Sequence, residues 1–203
     1  MYVKICGLQT PGTVAAAVAA GADAVGFVLA PGSPRTVTAA RAAELAAAVP
    51  ASTETVGVFR NQPIDSVVDT ARRAGVSTVQ LHGEEGLADM ARLHAEGFRT
   101  LRAFSAEAYN ALSAGDRAAW DSERLLLDAV EPGAGVAFDP AVLVNGAPHG
   151  FWLLAGGLNP ENVAGLSAAL HPAGVDVSSG VESSRGVKDS GLIRAFARAA
   201  HRQ

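Results

Sequence analysis

The chain alternates between short apolar runs and longer alanine-rich stretches, with a repeat of about 25 residues. The short runs have the length and composition of buried strands, whereas the alanine-rich stretches have helical spacing. Strands that alternate with helices pair in parallel, and the helices cover the sheet that they form. The pattern therefore predicts eight strands, at residues 3–8, 24–29, 55–60, 78–82, 99–104, 124–130, 151–154 and 175–178.

Glycine and asparagine mark where helices should end and begin. Gly21, Gly75 and Gly174 each precede a strand run, and glycine takes the left-handed conformation that ends a helix without steric cost. Asn159 followed by Pro160 is typical of a helix start, with asparagine as the cap and proline as the first helical residue. These residues predict three helix ends and one helix start.

Eight strand–helix units in 203 residues fit the compact limit of the (β/α)8 TIM barrel, an α/β fold that we predict as a single domain over residues 1–203. The competing architecture is an open doubly wound sheet, which usually has fewer strands and a glycine-rich dinucleotide fingerprint after its first strand. The first turn, at residues 6–12, lacks the G-x-G-x-x-G pattern. The fifth unit is the weakest, because its helical stretch at residues 106–116 is short.

Composition and charge narrow the classes of partner. Hydrophobic residues make up 49% of the chain and charged residues 18%, as in an ordinary globular protein. A net charge of −4 without a basic stripe argues against a nucleic-acid partner, and no apolar run is long enough to span a membrane. With no secretory signal pattern and one cysteine, we expect a cytoplasmic protein. No long apolar stripe demands a partner chain, so we expect a monomer or a weak homodimer.

Two reactive side chains stand at the carboxyl ends of predicted strands, where barrel enzymes place catalytic groups. Cys6 is the only cysteine, and Asp128 follows the leucines at 125–127. Side chains alternate along a strand, so Lys4 and Cys6 share the interior face if their neighbours face the helices. Asp128 faces inward by the same argument, on a strand nearly opposite the first. A buried structural cysteine and a loop-capping aspartate are the simpler interpretations, whereas together the two groups predict an acid–base pair.

Two glycine-containing loops predict a phosphate site. They follow the seventh and eighth strands, at residues 155–159 and 178–182, where barrels of this kind usually bind phosphate. Glycine lets backbone N–H groups approach an anion closely, and a helix amino terminus adds positive potential. Simple tight turns are the alternative. The candidate binding residues are Gly156, Gly157, Ser179 and Gly180.

Three further side chains are candidates for the mouth of the barrel. Arg35 ends a proline-stiffened loop after the second strand, and its planar fork suits a carboxylate, although a solvated arginine is equally compatible with the pattern. Gln80 and His82 end the fourth strand and would both point into the mouth, whereas the imidazole could instead cap a helix. No histidine, cysteine or carboxylate residues have metal-ligand spacing, so we predict no metal.

Eight segments, in order and over nearly the whole chain, closely resemble the phosphoribosylanthranilate isomerase family, which catalyses the third enzymatic step of tryptophan biosynthesis. The first and the last segments are specific to this family among barrels. The matching segments are residues 3–8 (VKICGL), 21–28 (GADAVGFV), 33–35 (SPR), 56–59 (VGVF), 79–85 (VQLHGEE), 126–128 (LLD), 155–163 (AGGLNPENV) and 175–182 (VDVSSGVE).

The resemblance implies an Amadori rearrangement that needs no cofactor. Asp128 would be the general acid, protonating the furanose ring oxygen so that the aminal opens to a Schiff base. Cys6 would be the general base, taking the proton from the adjacent sugar carbon. Arg35 would hold the anthranilate carboxylate, and Asp176 and His82 would lie near the ribose. The phosphate would lie against the backbones of Gly156, Gly157, Ser179 and Gly180.

Two loops depart from the family pattern. In the family, the loop after the sixth strand is usually rich in glycine before a Phe-Asp pair and is often followed by tryptophan, whereas residues 132–140 have fewer glycines and lack that tryptophan. Gln9 stands where threonine is common. Because these loops cover the substrate, turnover or affinity could differ, while the acid and the base are intact.

Two other functions are compatible with a phosphate-binding barrel. The related histidine-pathway isomerase binds a substrate with two phosphates and uses two aspartates, but the first strand here ends in Cys6, and Glu84 and Glu85 would repel a second phosphate. A non-enzymatic phosphoester-binding module would hold ligand without turnover. We predict the anthranilate-type isomerase.

Overall fold

A computed structural model describes residues 1–128, 141, 143 and 146–202. Eight parallel strands pair in chain order and close into a barrel, which confirms the predicted fold and excludes the open sheet. The strands are β1 (Tyr2–Cys6), β2 (Ala24–Val28), β3 (Glu54–Phe59), β4 (Thr78–Leu81), β5 (Arg99–Ser105), β6 (Leu125–Asp128), β7 (Trp152–Leu154) and β8 (Gly174–Val177). The end of the predicted sixth strand, residues 129–130, lies outside the described residues.

Helices cover the outside of the barrel. They are α1 (Pro11–Ala19), α2 (Ala39–Ala46), α3 (Ile64–Ala74), α4 (Leu87–Ala95), α5 (Ala106–Ala111), α6 (Ala114–Trp120), α7 (Val163–Leu170) and α8 (Ser190–Ala200). The weak fifth unit contains two short helices, α5 and α6, instead of one. A small hairpin of β9 (Glu182–Ser184) and β10 (Val187–Lys188) precedes α8. Among the helices of the described part of the chain, none has the length and apolar character needed to cross a membrane.

The two-residue alternation of the strands divides the apolar core into two layers. Val3 and Ile5 are fully buried in the large cluster between the strands and the helices, as the alternation predicts. Leu126 lies in a smaller, separate cluster of inward-facing residues from β5, β6 and β7 and the position after β7. The inward and outward faces of β1 and β6 are therefore those predicted from the sequence.

Two of the predicted helix ends are confirmed and one is wrong. Gly75 takes a left-handed conformation (φ 64°) at the end of α3, and Gly21 has a positive φ just after α1. Gly174 is instead the first residue of β8, and the left-handed residue that ends α7 is His171 (φ 50°). A side chain at position 174 would collide with the backbone of Tyr2, so glycine is needed here for the close approach of β1 and β8.

The predicted start of α7 is also too early. Asn159 does act as a cap, because its Oδ1 accepts hydrogen bonds from the backbone N–H groups of Glu161 (2.8 Å) and Asn162 (3.0 Å). These bonds hold a turn, and the regular helix begins three residues later than the predicted Pro160, at Val163.

A buried carboxylate joins three strands and the residue that precedes β6 at the amino-terminal end of the barrel. Glu54 accepts hydrogen bonds from the hydroxyl groups of Tyr2 and Thr78 and from both terminal nitrogens of Arg124, at 2.8 and 3.1 Å. The Arg124 guanidinium also lies over the ring of Phe151, 4.7 Å from its centre. Burial alone would raise the pKa of Glu54, but these donors outweigh burial and lower its pKa to about 2.

We expect Glu54→Gln to lower the free energy of unfolding by about 1–3 kcal/mol at neutral pH, because Arg124 would lose its charged partner. The folded-state pKa lies below the ordinary value of 4.5, so the carboxylate stabilises the fold fully above about pH 4.5 and loses this effect as the pH falls toward 2. The difference between wild type and variant, measured by urea unfolding at a series of pH values, should therefore shrink as the pH falls from 5.

Glu44→Gln is the matched control. Glu44 lies on α2 with its side chain 66% exposed and pairs with Arg41, so its loss should cost about 0.5 kcal/mol or less. A Glu54→Gln penalty that is equally large at pH 7 and at pH 2 would contradict the assignment.

Candidate active site

A cavity of about 260 Å³ opens at the carboxyl ends of the strands. Cys6 at the end of β1 and Asp128 at the end of β6 both line it, so the structure brings the two predicted reactive groups to one space. Most of the other predicted side chains join them. The lining residues are Cys6, Val28, Ala30, Pro31, Gly32, Ser33, Arg35, Val58, Arg60, Gln80, His82, Asp128, Asp176 and Ser178.

The Cys6 thiol lies in a tight, charged setting. Gly26 on the neighbouring strand leaves room for the sulfur, since a Cβ there would come within 2.9 Å of Sγ. Lys4, two residues earlier on the same face, is completely buried and donates to Asp176 Oδ1 at 2.8 Å. Burial raises the pKa of the Cys6 thiol; the ammonium of Lys4 opposes this, the Asp176 carboxylate adds to it, and Lys188 opposes it again, with a net increase.

Asp176 keeps the Lys4 ammonium protonated beneath the thiol. Burial alone would lower the pKa of Lys4, but the Asp176 carboxylate and the Cys6 sulfur together outweigh burial and raise it. The sequence pattern places Lys4 on the inner face of β1, but it does not show which carboxylate faces the ammonium.

Gln80, His82 and Asp128 form a row on the opposite side of the cavity. The Gln80 amide nitrogen lies 3.3 Å from His82 Nδ1, and His82 Nε2 lies 3.5 Å from Asp128 Oδ2. An amide nitrogen can only donate, so this contact assigns Nδ1 as the acceptor and leaves the proton of the neutral imidazole on Nε2, facing Asp128. Gln80 is 1% exposed, and its Oε1 has no hydrogen-bond partner among the described residues.

The two predicted phosphate loops border a second, smaller cavity of about 40 Å³. Gly156 and Gly157, both with positive φ, form one side, and Ser179 lies on the other. Asp128, Asp176 and Ser178 line both cavities, so the two spaces adjoin. Gly180 lies just beyond the lining and packs so closely on the Leu158 carbonyl that a side chain would not fit.

Arg35 lines the main cavity, but its fork is already engaged. Its Nε and Nη2 donate to the two oxygens of Glu182 at 2.6 and 2.9 Å. The Nη1 group has no hydrogen-bond partner among the described residues. The hydrogen bond to Glu182 raises the pKa of Arg35 and burial lowers it. The hydrogen bond is the larger effect, so the pKa of Arg35 is raised.

Three charged residues of the site were not predicted from the sequence. Glu182 belongs to a matched segment but had no role assigned, and Lys188 comes from the hairpin that follows β8. Arg60, immediately after β3, is an exposed residue that lines the main cavity. The available signal was weak, because a lysine or arginine near the end of a strand is usually only a solvated side chain.

Two sequence-based expectations concern the predicted absence of a metal and the divergent loop after the sixth strand. Over the described ranges, no group of three or more histidine, cysteine or acidic residues is placed to hold a metal ion. The divergent loop at residues 132–140 lies outside the described residues.

Comparison with known proteins shows which family this chain resembles. The sequence model described as N-(5'-phosphoribosyl)anthranilate (PRA) isomerase matches residues 3–199. The chain is 44% identical over 196 residues to the N-(5'-phosphoribosyl)anthranilate isomerase of Deinococcus radiodurans, covering 96% of this chain and 93% of the relative. It is also 44% identical, over 203 residues, to the isomerase of Chromohalobacter salexigens, covering 96% of this chain and 91% of the relative.

Solved structures of similar fold point to the same family. The crystal structure of TrpF from Jonesia denitrificans superposes with a TM-score of 0.87 at 46% identity, covering 99% of this chain and 97% of that one. A phosphoribosyl anthranilate isomerase in complex with reduced 1-(o-carboxyphenylamino)-1-deoxyribulose 5-phosphate superposes with a TM-score of 0.85 at 33% identity over the full length of both chains. Sequence and structure together show that this chain belongs to the N-(5'-phosphoribosyl)anthranilate isomerase family, enzymes of tryptophan biosynthesis.

Proposed function

We propose that this chain converts N-(5'-phosphoribosyl)anthranilate to 1-(2-carboxyphenylamino)-1-deoxyribulose 5-phosphate, with Asp128 as general acid and Cys6 as general base. The observation that carries the proposal is that the two side chains border one cavity from β1 and β6. The related isomerase solved with a reduced form of that product supports the choice of ligand. Asp128 and Cys6 supply the proton transfers of the first two steps, and the proposal requires no cofactor.

The first step opens the sugar ring. Protonated Asp128 gives its proton to the furanose ring oxygen while the bond between that oxygen and the anomeric carbon breaks. The electron pair of the anthranilate nitrogen forms the C=N bond, so the product is a protonated Schiff base and Asp128 becomes a carboxylate. His82 Nε2, 3.5 Å from the Asp128 carboxyl, then donates toward the anion that has formed.

The second step moves a proton from carbon to sulfur. The Cys6 thiolate takes the proton from the sugar carbon next to the Schiff base, and the released electron pair neutralises the C=N nitrogen to give an enolamine. In the final tautomerisation the enol O–H loses its proton and the carbon that bears the anilino nitrogen gains one, which gives the ketone. A raised pKa keeps the thiol protonated in the free enzyme, whereas the positive charges of Lys4 and Lys188 favour the thiolate.

Three parts of the wall bind the substrate in this proposal. Arg35 Nη1 donates to the anthranilate carboxylate, while the rest of its fork stays on Glu182. Gln80 Oε1, buried without a partner among the described residues, accepts a hydrogen bond from a sugar hydroxyl, and Asp176 and His82 face the ribose. The phosphate lies against the loop backbones of Gly156, Gly157 and Ser179, and Gly180 follows Ser179 just outside the cavity lining.

We expect Asp128→Asn and Cys6→Ser each to lower kcat/KM by about 10²- to 10⁴-fold, because each removes one proton-transfer group. The assay follows loss of the fluorescence of phosphoribosylanthranilate made in situ. Calorimetric titration with the reduced product analogue should show that both variants still bind. Turnover by the wild type tests the function itself, and binding without turnover would favour a phosphoester-binding module.

Asp65→Asn is the matched control, since Asp65 lies on α3 with its side chain 85% exposed and away from the cavity lining. It should keep wild-type kcat/KM. Near-wild-type turnover by Asp128→Asn would contradict the acid assignment, and near-wild-type turnover by Cys6→Ser would contradict the base assignment.

The pH dependence follows from the thiol. Because burial raises the Cys6 pKa above the ordinary thiol value of about 8.5, the base form is scarce at neutral pH and grows as the pH rises. We expect little thiolate absorbance in the ultraviolet at pH 7 and an increase in that absorbance as the pH rises past 9. As the chain has one cysteine, Cys6→Ser gives a clean blank for the absorbance. A thiolate already complete at pH 7 would contradict the assignment of the raised pKa.

A further inference from the structure

A buried lysine links the two ends of the cavity. Lys188, on β10, has a side chain that is 2% exposed. Its Nζ donates to the backbone oxygen of Ser178 at 2.8 Å, to the hydroxyl of Ser178 at 3.0 Å and to Glu182 Oε1 at 2.7 Å. All three donor positions of the ammonium are therefore used, which fixes the side chain in one place.

Glu182 is the centre of this cluster. Its two oxygens accept from Arg35 Nε and Nη2, from Lys188 Nζ and from the backbone N–H of Gly186 at 3.0 Å. Burial alone would raise the pKa of Glu182, but the donors outweigh burial and lower the pKa to about 2. The carboxylate is therefore charged at neutral pH, and two cations share it, so the cluster carries one surplus positive charge.

The cluster touches both proposed anion sites. Arg35 lines the main cavity, and Ser178 lines both the main cavity and the phosphate cavity. The first turn of the barrel leaves space for this arrangement, because a Cβ at Gly7 would come within 2.8 Å of Arg35 Cδ and 3.2 Å of Ser178 Oγ. A lysine that served only to close the hairpin would not need to contact Ser178, which lies outside β9 and β10.

We propose that Lys188 is a positioning residue that holds both anion-binding ends of the cavity, Arg35 through Glu182 and the phosphate loop through Ser178. The proposal rests on the function proposed above for the identity of the two anions. It assigns to one buried charge the relative placement of the carboxylate and phosphate sites. A ligand with two anions a fixed distance apart is recognised best when both sites are held rigidly.

The test compares three ligands by calorimetric titration: the reduced product analogue, the same compound without its carboxylate, and the same compound without its phosphate. In wild type, removal of either anion should weaken binding. Lys188→Met should bind the complete analogue about 10- to 100-fold more weakly than wild type does. Removing either anion from the ligand should then cost this variant less affinity than it costs wild type. In Arg35→Gln, only the loss of affinity caused by removing the carboxylate should become smaller.

Two variants separate positioning from folding. Lys188→Arg keeps the charge and should restore a large part of the affinity for the complete analogue. Arg198→Met removes one exposed positive charge on α8 and should bind all three ligands as wild type does. If Lys188→Met does not fold, Lys188→Gln replaces it with the same expected pattern, because the amide lacks the charge.

The outcomes distinguish the two proposals. Suppose that wild type binds the analogue, and that removing one or both anions costs the folded lysine variant as much affinity as it costs wild type. The Lys188 proposal is then wrong and the proposed function stands. If wild type neither binds the analogue nor turns over the substrate, the proposed function is wrong and the Lys188 proposal falls with it.

Discussion

The buried ion pair between Lys4 and Asp176 is the interaction on which the rest of the site depends. The two residues are direct partners in the pairing of β1 with β8, the seam that closes the barrel, and Lys4 Nζ lies 2.8 Å from Asp176 Oδ1. Neither charge would be tolerated in this interior without the other, because removing water from a lone ion costs far more than a closed strand pairing returns. Closing the seam therefore also fixes the electrostatic surroundings of Cys6, two residues along β1.

The two ends of the barrel use buried charge for different purposes. At the amino-terminal end, Glu54 accepts from Tyr2, Thr78 and Arg124, and Arg99 Nε lies 3.4 Å from it, so the carboxylate ties strands of the closed barrel together. At the carboxyl end, the cluster of Arg35, Glu182 and Lys188 keeps a surplus positive charge beside an open cavity. The first cluster joins strands, whereas a surplus positive charge beside a cavity lowers the free energy of a bound anion.

Sequence patterns predicted correctly those features that depend on a single strand. Alternation along β1 and β6 placed Cys6 and Asp128 at the cavity, because the direction of a side chain on a strand depends on its own backbone. Signals that depend on a neighbouring element were misread: Gly174 was taken as a helix end, but the close approach of Tyr2 explains it. The start of α7 was misplaced for a related reason, since the Asn159 cap stabilises a turn as readily as a helix.

The sequence by itself determined the repeat of strands and helices, the barrel, the inward direction of the reactive side chains and, by resemblance, the family. Only the tertiary structure decided which charges meet. Arg35 and Glu182 are 147 residues apart, and Lys4 and Asp176 are 172 residues apart. Periodicity describes the direction of a side chain from its own strand, but an ion pair requires two strands or loops to be brought together. The closure of the barrel brings them together, and no local pattern in the sequence encodes that distance.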